Sequence, residues 1–148
     1  MQKRISISNA EQPKAFKAML ALEAYLAQTS IPKMLKHLIK IHASQINGCA
    51  YCIDMHTQEA IKDGESIQRI FLVSAWREAT KFFTEEEQTV LTITEEITLI
   101  HQHGLSDATY ENALRFFNGN QIAELIMAIV TINAWNRIAI STHQQIEH

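Results

Sequence analysis

Two cysteines and one histidine are the residues most able to do chemistry in this chain. Cys49 and Cys52 are the only cysteines among its 148 residues, and His56 follows the second by four positions. They lie in SQINGCAYCIDMHTQEAIKDG, Ser44 to Gly64, where Asn47-Gly48 signals a turn and Ala50 to Asp63 is rich in helix formers. Gly64 suits the position just past that helix. Cys49 then falls at or next to the N-cap and Cys52 in the first turn. Unpaired N–H groups and the positive end of the helix dipole face both sulfurs there, which favours thiolate. Cys52 and His56 share a helix face one turn apart, so a base stands beside an acidified thiol. The chemistry expected is redox chemistry at sulfur.

Three other readings of a C-x-x-C compete with this. A thioredoxin-like site needs a βαβ setting, whereas both prolines, Pro13 and Pro32, precede the cysteines and the flanking pattern is helical. Structural zinc needs four ligands, and Cys49, Cys52 and His56 supply three, leaving His37 or His42 for the fourth. Finally, the pair could be plain buried cysteines that pack as small apolar residues.

The elements that must position these residues are helices. Glu11 to Gln28 carries an apolar stripe of Phe16, Met19, Leu20, Leu22, Tyr25 and Leu26. Pro32 opens a second helix to Gln45 that buries Leu35, Leu38, Ile39 and His42. After the cysteine helix, Ser66 caps a fourth with Ile67, Ile70, Phe71, Val73 and Trp76. Thr84 and Glu87 form a capping box for a fifth, Glu85 to Gln102, ending at Gly104. Ser106 caps a sixth to about Phe117, and Asn120 to Thr142 makes a long last helix. Its centre, LIMAIVTINAW, is apolar nearly all round, as expected of a helix buried on more than one side or packed on a second subunit. No segment alternates with period 2. The expected fold is all-α: a compact single-domain bundle of six to seven helices spanning residues 1–148, with the C-x-x-C at the start of a central helix.

Composition is that of an ordinary globular chain, 47% hydrophobic and 20% charged. A net charge of −3 without a basic block argues against nucleic acid. No apolar run reaches the length of a membrane span, and the N-terminus lacks a signal-peptide core. The expected compartment is the cytoplasm, where a C-x-x-C is more often catalytic or metal-binding than a structural staple.

SQINGCAYCIDMHTQEA resembles the C-x-x-C-x-x-x-H signature of the alkyl hydroperoxidase D-like (AhpD-like) family of the carboxymuconolactone decarboxylase superfamily. GESIQRIFLVSAWREATKFFTEEEQTVLTITEEIT and INAWNRIAI are similar to the same small-protein subgroup, so the resemblance runs from about Leu35 to Ile140. Decarboxylases of the superfamily typically lack the cysteine pair, so the resemblance points to a peroxidase. It implies a homo-oligomer, a dimer or a trimer of dimers, and antioxidant thiol chemistry with no bound cofactor. Cys52 would attack a small hydroperoxide, Cys49 would resolve the sulfenic acid to a disulfide, and His56 would pass the proton along. A dithiol or lipoyl-type reductant would then attack the more exposed Cys49 sulfur. The chain departs from better-studied members where His37 replaces a glutamate and Tyr51 replaces a histidine. Those changes predict a slower peroxidase, or one given to disulfide exchange or redox sensing.

Other polar residues have simpler readings. His101 and His103 would favour the negative end of the fifth helix, and Glu85, Glu86 and Glu87 suit its start. His143 and His148 would be solvated. Trp76 and Trp135 would be core or interface anchors. Asn133, Asn136 and Arg137 interrupt an apolar helix and require partners, at the site or at a subunit contact.

Overall fold

The α2 helix, Lys33–Asn47, runs through the middle of the molecule and packs against α3 (Ala50–Lys62), α5 (Glu85–Thr98) and α7 (Gly119–Thr142). It can occupy that place because Leu38, Ile39, Ile41 and Ala43 are wholly buried, so both of its sides are apolar. The computed structural model describes residues 2–146 and, among them, holds seven α-helices, two short 3-10 segments and no strand. The all-α expectation holds. The remaining helices are α1 (Pro13–Ala27), α4 (Ile67–Leu72) and α6 (Asp107–Ala113). His148 lies outside the described residues.

Capping boxes start α5 and α7. Thr84 Oγ1 accepts from the Glu87 N–H at 3.2 Å and Glu87 Oε2 accepts from the Thr84 N–H at 2.8 Å, as the Thr-x-x-Glu spacing predicts. Asn118 and Gln121 do the same for α7, both bonds at 2.9 Å. Each satisfies two N–H groups that a helix start otherwise leaves open.

Several expected boundaries and faces differ. Most of the α1 stripe stays out of the core: Leu26 alone is buried, and Leu20 and Tyr25 are exposed. Phe16 instead meets Trp135 edge-on, with centroids 6.4 Å apart. The fourth helix stops at Leu72 and continues as a 3-10 segment, Val73–Glu78, kinked at Ala75. The kink lets Val73 and Trp76 join Ile70 in the core while Phe71 and Ile67 face outward. Ser66 makes no side-chain cap. Arg69 pins this region instead, reaching Glu65 at 2.9 Å, Glu87 at 2.6 Å and the Phe82 carbonyl.

The fifth helix ends at Thr98 rather than Gln102, because the chain turns from Leu99 to Gly104. His101 and His103 therefore sit beyond its last turn, not on it. The sixth helix stops at Ala113, and Phe117 drops into the core after it. His143 is partly buried and in the left-handed conformation at the end of α7, with Nδ1 3.2 Å from the Gln2 carbonyl. Among the described residues α7 is the one helix long and apolar enough by composition to cross a membrane; here it packs against α1, α2, α3 and α5.

Because Thr84 supplies one half of its box, Thr84→Ala should cost about 1 kcal/mol of stability. A urea titration that shows no fall in the unfolding midpoint would contradict that cap.

Candidate functional site

Only two residues, Gly48 and Cys49, separate α2 from α3. Gly48 has φ +68°, which glycine adopts without the Cβ penalty that other residues meet, and it ends α2. Cys49 is the N-cap of α3, with its N–H donating to the Ser44 carbonyl at 3.0 Å. Its sulfur accepts from the Cys52 N–H at 3.4 Å. The two cysteines are joined as a disulfide, with Cα atoms 5.3 Å apart. Both expected positions, N-cap and first turn, are met.

The corner is tied to α7 by amides. Asn47 Nδ2 donates to Asn136 Oδ1 at 2.8 Å and Asn133 Oδ1 at 3.0 Å, and Asn136 Nδ2 donates to Ser44 Oγ at 3.0 Å. Asn136 is wholly buried. Asn133 and Asn136 thus find their partners within the chain, while the exposed Arg137 bonds back to Asn133. Residues that interrupt the apolar helix hold the cysteine turn against it.

A cavity of about 460 Å³ opens over Cys52. Tyr51, Met55 and His56 from α3 line it, with Trp135 and Ile138 from α7 and Lys40 from α2. Cys52 faces this cavity and Cys49 does not. Both cysteines are buried in this oxidised form, Cys49 at 1% and Cys52 at 2% exposure. Capping buries Cys49 between α2 and α7, whereas the first-turn position points Cys52 at the opening.

His56 is buried on the same wall. Its Nδ1 lies 2.9 Å from Glu59 Oε2, and its Nε2 has no hydrogen-bond partner. The carboxylate accepts a hydrogen bond from Nδ1–H, which leaves the lone pair on Nε2. Burial pushes the His56 pKa down; the Glu59 hydrogen bond opposes this in part, and Lys40 lowers it further. The ring is accordingly neutral near pH 7, the form that can take a proton. Glu59 was not among the residues singled out from sequence. Its i,i+3 spacing from His56 within one helix was the available signal.

His37 does not stand in for the missing glutamate of the resemblance. It is buried with Nε2 2.7 Å from Asp63 Oδ2, and Lys33 holds the other oxygen of Asp63 at 2.7 Å. Lys33 first, then His37, hold the Asp63 carboxyl below its usual range. His42 likewise faces Glu95 at 2.8 Å, which also accepts from Trp76 at 2.8 Å. Both candidates for a fourth zinc ligand are thus engaged elsewhere. Among the described residues no three His, Cys, Asp or Glu side chains are arranged to hold a metal.

Residues 13–96 match the model of the carboxymuconolactone decarboxylase family. The chain belongs to that family. It is 43% identical over 129 residues to YdfG of Bacillus subtilis (strain 168), itself uncharacterized, with 87% of each chain covered. A crystal structure from Agrobacterium tumefaciens is 40% identical, covers 99% of both chains and superposes with a TM-score of 0.94. That protein is of unknown function and has been assigned provisionally to AhpD-type antioxidant defence. The debrominase Bmp8 shares the fold at 21% identity and a TM-score of 0.82, covering 93% of this chain and 74% of its own. The AhpD-like fold is thereby established, with the C-x-x-C at a helix start. A family that includes enzymes supports an enzymatic role without specifying the reaction.

Asn136→Ala would leave the buried Ser44 Oγ without its partner and Asn47 with Asn133 alone, so it should destabilise the fold by about 1–3 kcal/mol. It should also loosen the cysteine turn, raising amide hydrogen exchange at Cys49; unchanged exchange there would refute the clamp. The depressed His56 pKa has a stability consequence. Below the ordinary histidine range the unfolded chain takes up a proton that folded His56 resists, so stability should fall as pH drops through that interval. Replacing His56 with Gln should flatten this pH dependence in urea titrations.

Proposed function

We propose that the protein is a thiol-dependent hydroperoxide reductase of the AhpD-like type. The observation that carries the reading is the arrangement over Cys52: a neutral histidine, oriented by a carboxylate, on the wall of a cavity that the sulfur also lines. In the reduced protein His56 Nε2 takes the Cys52 proton, helped by the α3 dipole that favours thiolate at the first turn. The thiolate attacks the terminal oxygen of a hydroperoxide and the O–O bond breaks. The alcohol leaves with a proton, and Cys52 becomes a sulfenic acid. Cys49 then attacks that sulfur, forming the disulfide and releasing water. An external dithiol, free or lipoyl-type, closes the cycle by thiol–disulfide exchange and is itself oxidised.

No bound cofactor enters this cycle, and a reducing compartment such as the cytoplasm would regenerate the dithiol. We also propose a homo-oligomer, supported by exposed Leu20 and Tyr25 on α1 and Val130 and Ile140 on α7. Glu59 is the positioning residue for His56, in place of the glutamate that other members carry on the preceding helix.

The test is a free-thiol count after brief exposure of reduced protein to stoichiometric cumene hydroperoxide, followed by dithiothreitol-driven turnover. Rapid loss of both thiols with sustained turnover is expected. Cys52→Ser should abolish turnover, and Cys49→Ser should stop at a sulfenic acid that dimedone traps. Full turnover by Cys52→Ser would end this assignment of roles, while slow thiol loss without turnover would leave disulfide exchange or sensing as the function. Glu59→Gln removes the interaction that raises the His56 pKa, so the His56 midpoint in an NMR titration should move further down. Turnover near neutral pH should fall by about 10- to 100-fold, the range for a lost orienting partner.

A further inference from the structure

The cavity over Cys52 lies beside a larger cleft of about 700 Å³, and Glu23, Lys40 and Glu59 line both. The cleft is lined by four lysines, Lys33, Lys36, Lys40 and Lys62, and three carboxylates, Glu23, Glu59 and Asp63. Setting His37 aside, four against three leaves one positive charge in a chain whose net charge is −3.

The carboxylates are committed. Asp63 bonds to Lys33 and His37, Glu59 bonds to His56, and Glu23 accepts from Trp135 Nε1 at 2.9 Å. The lysines are not. Among the described residues Lys36, Lys40 and Lys62 form no ion pair within 4 Å, and Lys36 bonds only to a neutral acceptor, the Leu26 carbonyl, at 2.5 Å. Burial first, then repulsion from Lys40, depresses the Lys36 pKa, with the charges of Glu124 and Glu23 opposing in part, and an anion between the two ammonium groups would relieve the repulsion that is left. The lobe beside Cys52 differs in character, with Phe16, Met55, Trp135 and Ile138 giving it an apolar wall.

We propose that the two lobes together bind an apolar chain ending in a single carboxylate, with the chain against the Trp135 wall and the carboxylate at Lys36 and Lys40. The substrate class is then acidic organic hydroperoxides, such as fatty-acid hydroperoxides, reduced at Cys52. Each lobe, about 460 and 700 Å³, already exceeds what a peroxide of a few carbons needs and falls in the size range of sites for longer ligands. An anion suits this excess of lysines over carboxylates, to which Lys3 adds on the lobe beside Cys52. The chemistry at Cys52 rests on the peroxidase reading above; the binding of the chain does not.

The test begins with calorimetric titration of the oxidised protein with decanoate and with 1-decanol. Decanoate should bind at least about tenfold tighter, the scale of one charge-assisted hydrogen bond. Lys36→Met and Lys40→Met should each bring the ratio toward one, and Lys40→Arg should preserve it. Equal affinities, no binding of either probe, or a preference that survives both Met variants would overturn the proposal. The second arm compares kcat/KM of reduced protein for linoleic acid hydroperoxide and for its methyl ester, with the acid expected to be preferred. A decanoate preference with no turnover of either hydroperoxide would uphold the carboxylate cleft and remove the peroxidase reading.

Discussion

The two-residue corner between α2 and α3 constrains everything at the site. Gly48 can end α2 in the left-handed conformation, and the next residue must already be the N-cap of α3. Cys49 is therefore placed by backbone geometry, and Cys52 follows in the first turn. The direction of the corner depends in turn on α2, whose apolar sides bury it among three other helices, and on Asn136, which holds Ser44 and Asn47 from α7. A buried amide without partners would be costly, so the network specifies one seating of the corner rather than several.

Three buried histidines each face a carboxylate, and the difference among them explains the site. His37 and His42 present Nε2 to Asp63 and Glu95, leaving Nδ1 unpartnered. His56 does the reverse, presenting Nδ1 to Glu59 and leaving Nε2, the outer nitrogen of the ring, unpartnered. This tautomer leaves the lone pair on Nε2, the nitrogen farther from the backbone, in a residue that lines the cavity. His37 and His42 join helices together, whereas His56 is joined to a residue of its own helix and does not depend on an interhelical contact.

Electrostatics at the cavity are mixed by design of the packing. Lys40 stands where the apolar lobe over Cys52 meets the lysine-lined cleft, and it acts on both His56 and Lys36. Its effect is to disfavour further positive charge, which keeps the histidine neutral. The same ammonium favours negative charge, in a thiolate or in a bound anion. One side chain thus influences both the base and the ligand.

The sequence by itself determined the helical class, the start of α3 at the cysteines, the capping box at Thr84 and the shared face of Cys52 and His56. These depend on contacts within a few residues, where period, caps and turn signals act directly. Tertiary structure alone decided the partners of the other two histidines: His37 turned to Asp63, twenty-six positions away, and His42 to Glu95, whereas the Glu59 partner of His56 lies one turn along the same helix. It also decided that α1 leaves Leu20 and Tyr25 outside, that α4 kinks so Val73 and Trp76 reach the core, and that Cys52 rather than Cys49 faces the cavity. An apolar stripe says that a face will be covered but not by which neighbour, and a histidine needs a partner without naming it. Those choices are settled only when the helices are docked, because each depends on the position of side chains distant in the chain.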